Sequence, residues 1–255
     1  MNGLVEQLQH AELTRTPLAP MASPDSPALS AAQGYQLQRE GLAQRVERGE
    51  RLLGWKVAFA SRAAFERFGL SEPVYGALTD AMEIEADAGL ALSRFIQPKL
   101  EIELALRLGR DLSAGCHSDD DLLSAVQSMA LAYEVADCRW QGWRFDAGAF
   151  LADNAAAAGW CLGPWQVFDA RRAEQLSYVL YGDSALLGQG RLGTREDPPL
   201  VNLRWLLRRL LADGHTLRRG QVILSGALLA PLDMTAREYR FEALGTTLLL
   251  KVLPA

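Results

Sequence analysis

Pro98-Lys99-Leu100-Glu101-Ile102-Glu103-Leu104-Ala105-Leu106-Arg107-Leu108 is the stretch on which the fold turns. From Glu101 charged and apolar residues alternate, and the run then becomes apolar, the pattern of a strand with one face on a core. On such a strand Glu101 and Glu103 project to the same side, with Cα atoms about 7 Å apart, while Ile102 and Leu104 point into the core. Two carboxylates at that spacing can converge on one ion. An amphipathic edge strand with two solvated glutamates fits the same residues.

Further along, Leu131-Ala132-Tyr133-Glu134-Val135-Ala136-Asp137 embeds a glutamate among apolar neighbours. A carboxylate there must be paired, protonated or metal-bound, and Arg139 or a nearby lysine is the alternative partner. Three carboxylates without histidine or thiolate suit a hard cation, Mg²⁺ first and Mn²⁺ or Ca²⁺ next. Upstream, Gly54-Trp55-Lys56-Val57-Ala58-Phe59-Ala60 carries a lysine inside an apolar run. Such a lysine either snorkels at the surface or is held in a site. In a site it stays cationic to bind a carboxylate, or has its pKa lowered for acid–base work. Asp80, closing a strand-like or turn-like segment over 74–80, is the acid expected to pair with it.

The remaining pattern places these residues in an α+β fold. Leu4, Leu8 and Leu13 have helical spacing over 3–15, and a Pro- and Ser-rich connector follows. Ser26 as N-cap and Pro27 at the first helical position open a second helix, carried by Leu29, Tyr35, Leu37, Leu42 and Val46 to about Arg48. A helix over 61–68 ends at Gly69. A helix capped by Ser118 or Asp119 is expected to run through Ala130 towards Tyr133. Strands are expected around 176–188, 221–225 and 246–253, with a helix over 201–212 among them. Strands dominate the later part and helices are intercalated rather than strictly alternating, which predicts a rolled mixed sheet and not a doubly wound parallel one. Residues 1–90 are expected to form an N-terminal helical portion with the lysine-bearing segment, and 91–255 the metal-binding mixed-β core.

Composition excludes several classes of function. The 255 residues carry a formal net charge of -5, and residues 204–209 with Arg218 and Arg219 interleave with Leu and Trp as the wet face of an amphipathic helix. No nucleic-acid footprint results. Cys116, Cys138 and Cys161 form no CxxC pair, so neither a disulfide framework nor a zinc site is expected. His10, His117 and His215 are far apart and none adjoins a Ser or Cys motif, so a hydrolytic triad has no evident members. No apolar run approaches the roughly 20 residues that span a bilayer, and the N-terminus lacks a secretory signal pattern, which makes the cytoplasm the expected compartment.

GWKVAFASRAAFERFGLSEPVYGALTD, PKLEIELALRLGRDL, ALAYEVADCR, ADNAAAAG and VILSGALLAP occur in this order. As an ordered set they resemble the 2-keto-4-pentenoate hydratase and 2-oxo-3-hexenedioate decarboxylase branch of the fumarylacetoacetate hydrolase superfamily, over most of the chain from about residue 30. The resemblance implies a rolled mixed-β fold with an N-terminal helical portion. It implies Mg²⁺ or Mn²⁺ on Glu101, Glu103 and Glu134, and it puts Lys56 on the family's active-site lysine. Asp80 falls on the acid of the YGxLxD block and Lys99 on the lysine of PKxExE. Ser225 and Gly226 fall in the loop that commonly holds the substrate's carboxylate end, and Asp153 and Asn154 match the DN pair. A small 2-oxo acid is the implied substrate. A homo-oligomer is the implied assembly, with room for a complex with another enzyme of an aromatic-catabolic pathway.

The chain departs from the family's pattern at three places. Ala58-Phe59-Ala60-Ser61 stands where G-L-T-S is usual and keeps only Ser61; residues 155–158 are alanines where a serine-containing run is usual; Ser225-Gly226-Ala227 stands for T-G-S. Each lost hydroxyl removes a hydrogen bond worth about 1 kcal/mol net. A metal-dependent lyase hydrating a 2-hydroxy-2,4-dienoate (2-oxo-4-enoate) to a 4-hydroxy-2-oxo acid is the leading expectation. A decarboxylase of 2-oxo-3-enedioates, a C–C bond hydrolase and a non-catalytic partner subunit are the alternatives. The first three share the metal site, so the three glutamates do not separate them.

Overall fold

The computed structural model describes residues 3–20 and 28–254. Its helices are α1 (Leu4–Thr14), α2 (Ala31–Glu47), α3 (Arg62–Phe68), α4 (Asp119–Ser124), α5 (Ala147–Ala152), α6 (Ala170–Glu174) and α7 (Pro199–Ala212). Its strands are β1 (Leu52–Ala58), β2 (Val74–Thr79), β3 (Leu90–Ala91), β4 (Pro98–Leu108), β5 (Val126–Asp137), β6 (Ala157–Leu162), β7 (Gln166–Val167), β8 (Ser177–Gly182), β9 (Ala185–Arg191), β10 (Val222–Leu224), β11 (Leu232–Asp233), β12 (Arg237–Ala243) and β13 (Thr246–Leu253). One sheet runs β2-β1-β10-β4-β5-β6, with β11 beside β4 and β7 beside β5; a second runs β3-β13-β12-β8-β9. The β1–β10 pair is parallel and its neighbours antiparallel, so the sheet is mixed and curls into a half-barrel, as the α+β expectation required. None of the described helices is long and apolar enough to cross a membrane.

The period of two along β4 divides the interior. Ile102, Leu104 and Leu106 join Leu131, Tyr133 and α7's Leu203 in the main core. On the other face Ala105, Ala130, Ala132 and Leu224 belong to a smaller cluster with Leu78 and Trp160. Glu101 and Glu103 share that second face by alternation.

Residues 126–137 form a strand and not the continuation of the helix expected through Ala130. The helix that Ser118 caps, with Asp121 completing a capping box, stops at Ser124. A continuous apolar run does not by itself distinguish a buried strand from a buried helix. The tertiary pairing decides: β5 lies between β4 and β6 and is hydrogen-bonded to both. A strand buried on both faces loses the alternation that would announce it. Two further expectations shift. Ser30, not Ser26, caps α2, through a capping box with Gln33, while Ser26 and Pro27 lie outside the described residues. In α1 the buried stripe is Val5, Leu8 and Ala11, and Leu13 is 77% exposed.

The division expected at residue 90 runs through one sheet. β1 and β2, from before it, share hydrogen-bonded order with β10, β4 and β5, from after it. The helical arm is fastened to the same body: Arg45 of α2 bridges Glu12 of α1 and Glu50, and Thr79 Oγ1 at the end of β2 donates to Glu50 at 2.6 Å.

Candidate metal centre and active-site cavity

Antiparallel pairing sets Glu101 of β4 directly opposite Glu134 of β5, and Glu103 opposite Ala132. A carboxylate oxygen from each glutamate lies within 4.8 Å of one from each of the others. Glu103 and Glu134 are fully buried and Glu101 is half-buried. Like charges directly opposite on paired strands repel, and burial strengthens the repulsion. The counter-charge is Lys56. β1 sets Lys56 opposite Leu224, and β10 sets Leu224 opposite Ala105, so the lysine shares the glutamates' face. Its Nζ stands 2.7 Å from Glu134 Oε1, with both side chains buried.

One ammonium against three carboxylates leaves excess buried negative charge. Burial, helped by the nearby Glu134, pushes the Glu101 carboxyl up to about 7 and Glu103 well above the usual carboxylate range. For Lys56 burial disfavours the charge, but Glu134 and then Glu101 outweigh it and hold the ammonium protonated. Glu103 Oε2 accepts the Gly226 N–H at 2.7 Å. Glu103 Oε1 and Glu134 Oε2 are buried without a hydrogen-bond partner. Buried carboxylates with unpartnered oxygens, clustered within 4.8 Å and with no soft donor among them, are a donor set that fits a hard divalent cation.

The turn after β10 completes the cluster. Gly226 has φ 98, a left-handed conformation suited to glycine, and a Cβ there would stand 3.1 Å from Asn202 Nδ2. Asn202 of α7 donates to the Ser225 carbonyl at 2.8 Å, which fixes the turn that aims the Gly226 amide at Glu103. Ser225 is itself buried, and its Oγ has no partner.

Lys56, Glu101 and Gly226 line a cavity of about 970 Å³. Of the expected substrate contacts, Ser61 and Lys99 also line it. Ser61 Oγ caps α3 by accepting the Ala64 N–H, and Lys99 Nζ is 2.6 Å from Asp233 and 5.5 Å from the centre of the Trp143 ring.

Three expected site residues are placed elsewhere. Asp80 does not meet Lys56: its carboxylate takes the Arg51 N–H at 2.9 Å and Arg51 Nε at 2.8 Å, past the end of β2. Lys56 lies opposite Gly76, so four residues of extended chain separate the two, about 13 Å. Asp153 is buried against the Arg139 guanidinium, which also donates to main-chain carbonyls of Asp137 and Asp153. Asn154 clamps β2, its side chain accepting from Ala77 N at 2.8 Å and donating to Ala77 O at 2.9 Å. Asp153 and Asn154 thus anchor the main chain just before Ala155, which lines the cavity. Asn154, Ala155 and Ala156 all have positive φ, and Ala155 of this strained turn faces the cavity.

The aromatic wall is not among the residues expected from the sequence. Phe59, Phe68, Phe145, Phe150 and Trp143 line the cavity, four of them only half-buried. A signal existed in Trp143-Arg144-Phe145-Asp146-Ala147-Gly148-Ala149-Phe150, where large aromatics crowd a glycine-bearing stretch with no strand or helix period.

No family model matches the chain. A 2-keto-4-pentenoate hydratase of Burkholderia vietnamiensis is 33% identical over 228 residues, 89% of this chain and 86% of the relative. A 4-oxalocrotonate decarboxylase of a Pseudomonas species is 30% identical over 207 residues, 81% of this chain and 80% of the relative. Among solved structures, 4-oxalocrotonate decarboxylase from Pseudomonas putida G7, complexed with magnesium and adipate, superposes with a TM-score of 0.90 at 21% identity, covering 98% of this chain and 96% of that one. Sequence likeness over four fifths or more of both relatives, on the fold described above, leads to one conclusion: the chain belongs to the family of 2-keto-4-pentenoate hydratases and 4-oxalocrotonate decarboxylases, enzymes of the lyase type.

Proposed function

We propose that this enzyme hydrates a 2-hydroxy-2,4-dienoate (2-oxo-4-enoate) to a 4-hydroxy-2-oxo acid, with Mg²⁺ or Mn²⁺ held by Glu101, Glu103 and Glu134. The carrying observation is the convergence of three buried or half-buried carboxylates within 4.8 Å, with unpartnered oxygens, at the wall of a cavity. A divalent cation bound there supplies Lewis acidity to the 2-oxo group of the substrate. The protein's own groups do the rest. Lys56 borders both the carboxylates and the cavity and carries a transferable proton, so it is assigned the proton transfers at C3 and C5. Gly226 N–H holds Glu103 in register; Ser61 and Lys99 line the cavity, each spending its side chain on a protein neighbour, the Ala64 N–H and Asp233. Asp80, Asp153, Asn154 and Ser225 have no place in this mechanism: the first three are committed to other partners, and Ser225 is buried and does not line the cavity.

A decarboxylase of an unsaturated 2-oxo dicarboxylate is the second reading, favoured by the relative of that name at 30% identity. Incubating the Mg²⁺-loaded protein with 2-hydroxypenta-2,4-dienoate, and separately with a 2-oxo-3-enedioate, tests both. Loss of dienol absorbance without CO₂ is the expected result. CO₂ release from the diacid would replace hydration by decarboxylation. Metal-dependent binding with turnover of neither would make the chain a non-catalytic subunit, and full turnover in EDTA would remove the metal. The same reading carries the cytoplasm as compartment and a homo-oligomer as assembly, the latter measurable by light scattering.

A further inference from the structure

We infer that the distal end of the bound acid is an uncharged, apolar alkyl or aryl group seated on the phenylalanine wall; this rests on the 2-oxo acid reading above. The cavity of about 970 Å³ is of the size that encloses drug-sized ligands, far larger than a five-carbon acid needs. Its aromatic side is already ordered. Phe59 stacks between Phe68, at 4.4 Å, and Phe150, at 4.2 Å, and Phe145 lies 4.9 Å from Phe150 and 5.6 Å from Phe68. Phe59 holds that position with φ 53, an uncommon conformation for a bulky residue at the end of a strand. Phe59, Phe68 and Phe145 remain half-buried, so an apolar guest would cover surface that the fold leaves open.

The polar groups around the cavity are committed elsewhere. Tyr178 Oη donates to the Leu228 carbonyl at 2.6 Å, and Ser61 caps α3. Arg195 is forked onto Asp197, at 3.0 and 2.9 Å, and spends further donors on the carbonyls of Ala227 and Leu228. Lys99 is held by Asp233, and Lys56 by Glu134. Arg67 is the cavity-lining cation with no carboxylate partner among the described residues; it is exposed and lies over the Phe68 ring at 5.0 Å. A distal carboxylate would need a cation with free donors, and most of this wall offers rings and alanine methyls instead. Ala60, Ala155 and Ala227 all face the cavity.

Calorimetric titration of the Mg²⁺-loaded protein with unreactive saturated acids tests this. The probes are 2-oxobutanoate, 2-oxohexanoate, 2-oxooctanoate and 2-oxoadipate. The expected result is a Kd falling about fourfold per buried methylene, with 2-oxoadipate binding no tighter than 2-oxobutanoate. Phe68→Ala and Phe145→Ala should flatten the series while leaving 2-oxobutanoate within about twofold. If either variant fails to fold, the wild-type series still decides. A flat wild-type series overturns the inference, as does tightest binding of 2-oxoadipate that Arg67→Gln abolishes. Mg²⁺-dependent binding with no chain-length effect overturns this inference alone; no Mg²⁺-dependent binding of any probe overturns the 2-oxo acid reading as well.

Discussion

Glu103 shows what a buried carboxylate among like charges costs a fold. It is fully buried, faces Glu134 and Glu101, and has one unpartnered oxygen. In the metal-free protein such carboxylates hold their protons more tightly folded than unfolded. Below the ordinary value of 4.5 both states are protonated and there is no penalty; between there and about 7, where Glu101 titrates in the folded state, the unfolded chain has ionised and the folded one has not, so stability falls, and it levels off above. Metal binding needs the ionised forms, so affinity rises over the same range. Glu103→Gln should therefore raise the Tm of the metal-free protein by a few degrees at pH 8 and abolish the further rise that Mg²⁺ produces in the wild type, both read by calorimetry. Lys56 and Asp80 make a contrasting pair. Lys56→Met should slow deuterium exchange at C3 of a bound 2-oxo acid by a factor of about 10² or more, and an unchanged rate by NMR would remove Lys56 from the mechanism. Asp80→Asn should leave turnover within about twofold, because Asp80 answers to Arg51 and not to the site.

At the scale of elements, the site is a consequence of register. β4 against β5 sets Glu101 opposite Glu134, and β1 against β10 against β4 carries Lys56 to the same face. A slip of one residue in any of these pairs would send its ligand to the opposite face. Asn154 helps pin β2, and through it β1, by two hydrogen bonds to the main chain of Ala77. Gly76 leaves room for that clamp, since a Cβ there would stand 2.5 Å from the Asn154 carbonyl. Asn154→Ala should cost about 2 kcal/mol, the sum of two modest hydrogen bonds, seen as a lower urea midpoint with unchanged slope. The strand β5 was unreadable as a strand for a physical reason: it is covered on both faces and paired on both edges. β12, absent from the expected strands, does carry a legible period of two: Glu238, Arg240 and Glu242 alternate with buried Tyr239, Phe241 and Ala243.

For the whole molecule, the sheet that carries the three clustered glutamates also contains the lysine strand, so a cut at residue 90 separates partners in one hydrogen-bonded order. The fragment 91–255 should show no cooperative thermal unfolding by circular dichroism, since removal of β1 and β2 leaves the β10 edge unpaired and takes Trp55, Val57 and Tyr75 out of the main core. A sharp transition close to that of the intact chain would contradict the continuity of this sheet. The same continuity couples the helical arm to the centre through Arg45, Glu50 and Thr79.

The sequence by itself determined the carboxylate pair and the class of fold. Glu101 and Glu103 follow from the period of two, which is a property of the extended chain and needs no neighbour. The buried Glu134 announced that it required a partner, because an unpaired carboxylate among apolar residues is costly wherever it lies. Which partner it took was a tertiary matter. Arg139, near it in sequence, is claimed by Asp153, and Lys56, far away, is delivered by a three-strand register. Asp80 sat in a suggestive block yet lies beyond the end of a strand beside Arg51. The phenylalanine wall, assembled from residues 59, 68, 145 and 150, exists only once α3 and the segment before α5 meet over the sheet. Local periodicity sets which way a side chain points; distances between segments remote in the chain are set by packing, and the site is made of such distances.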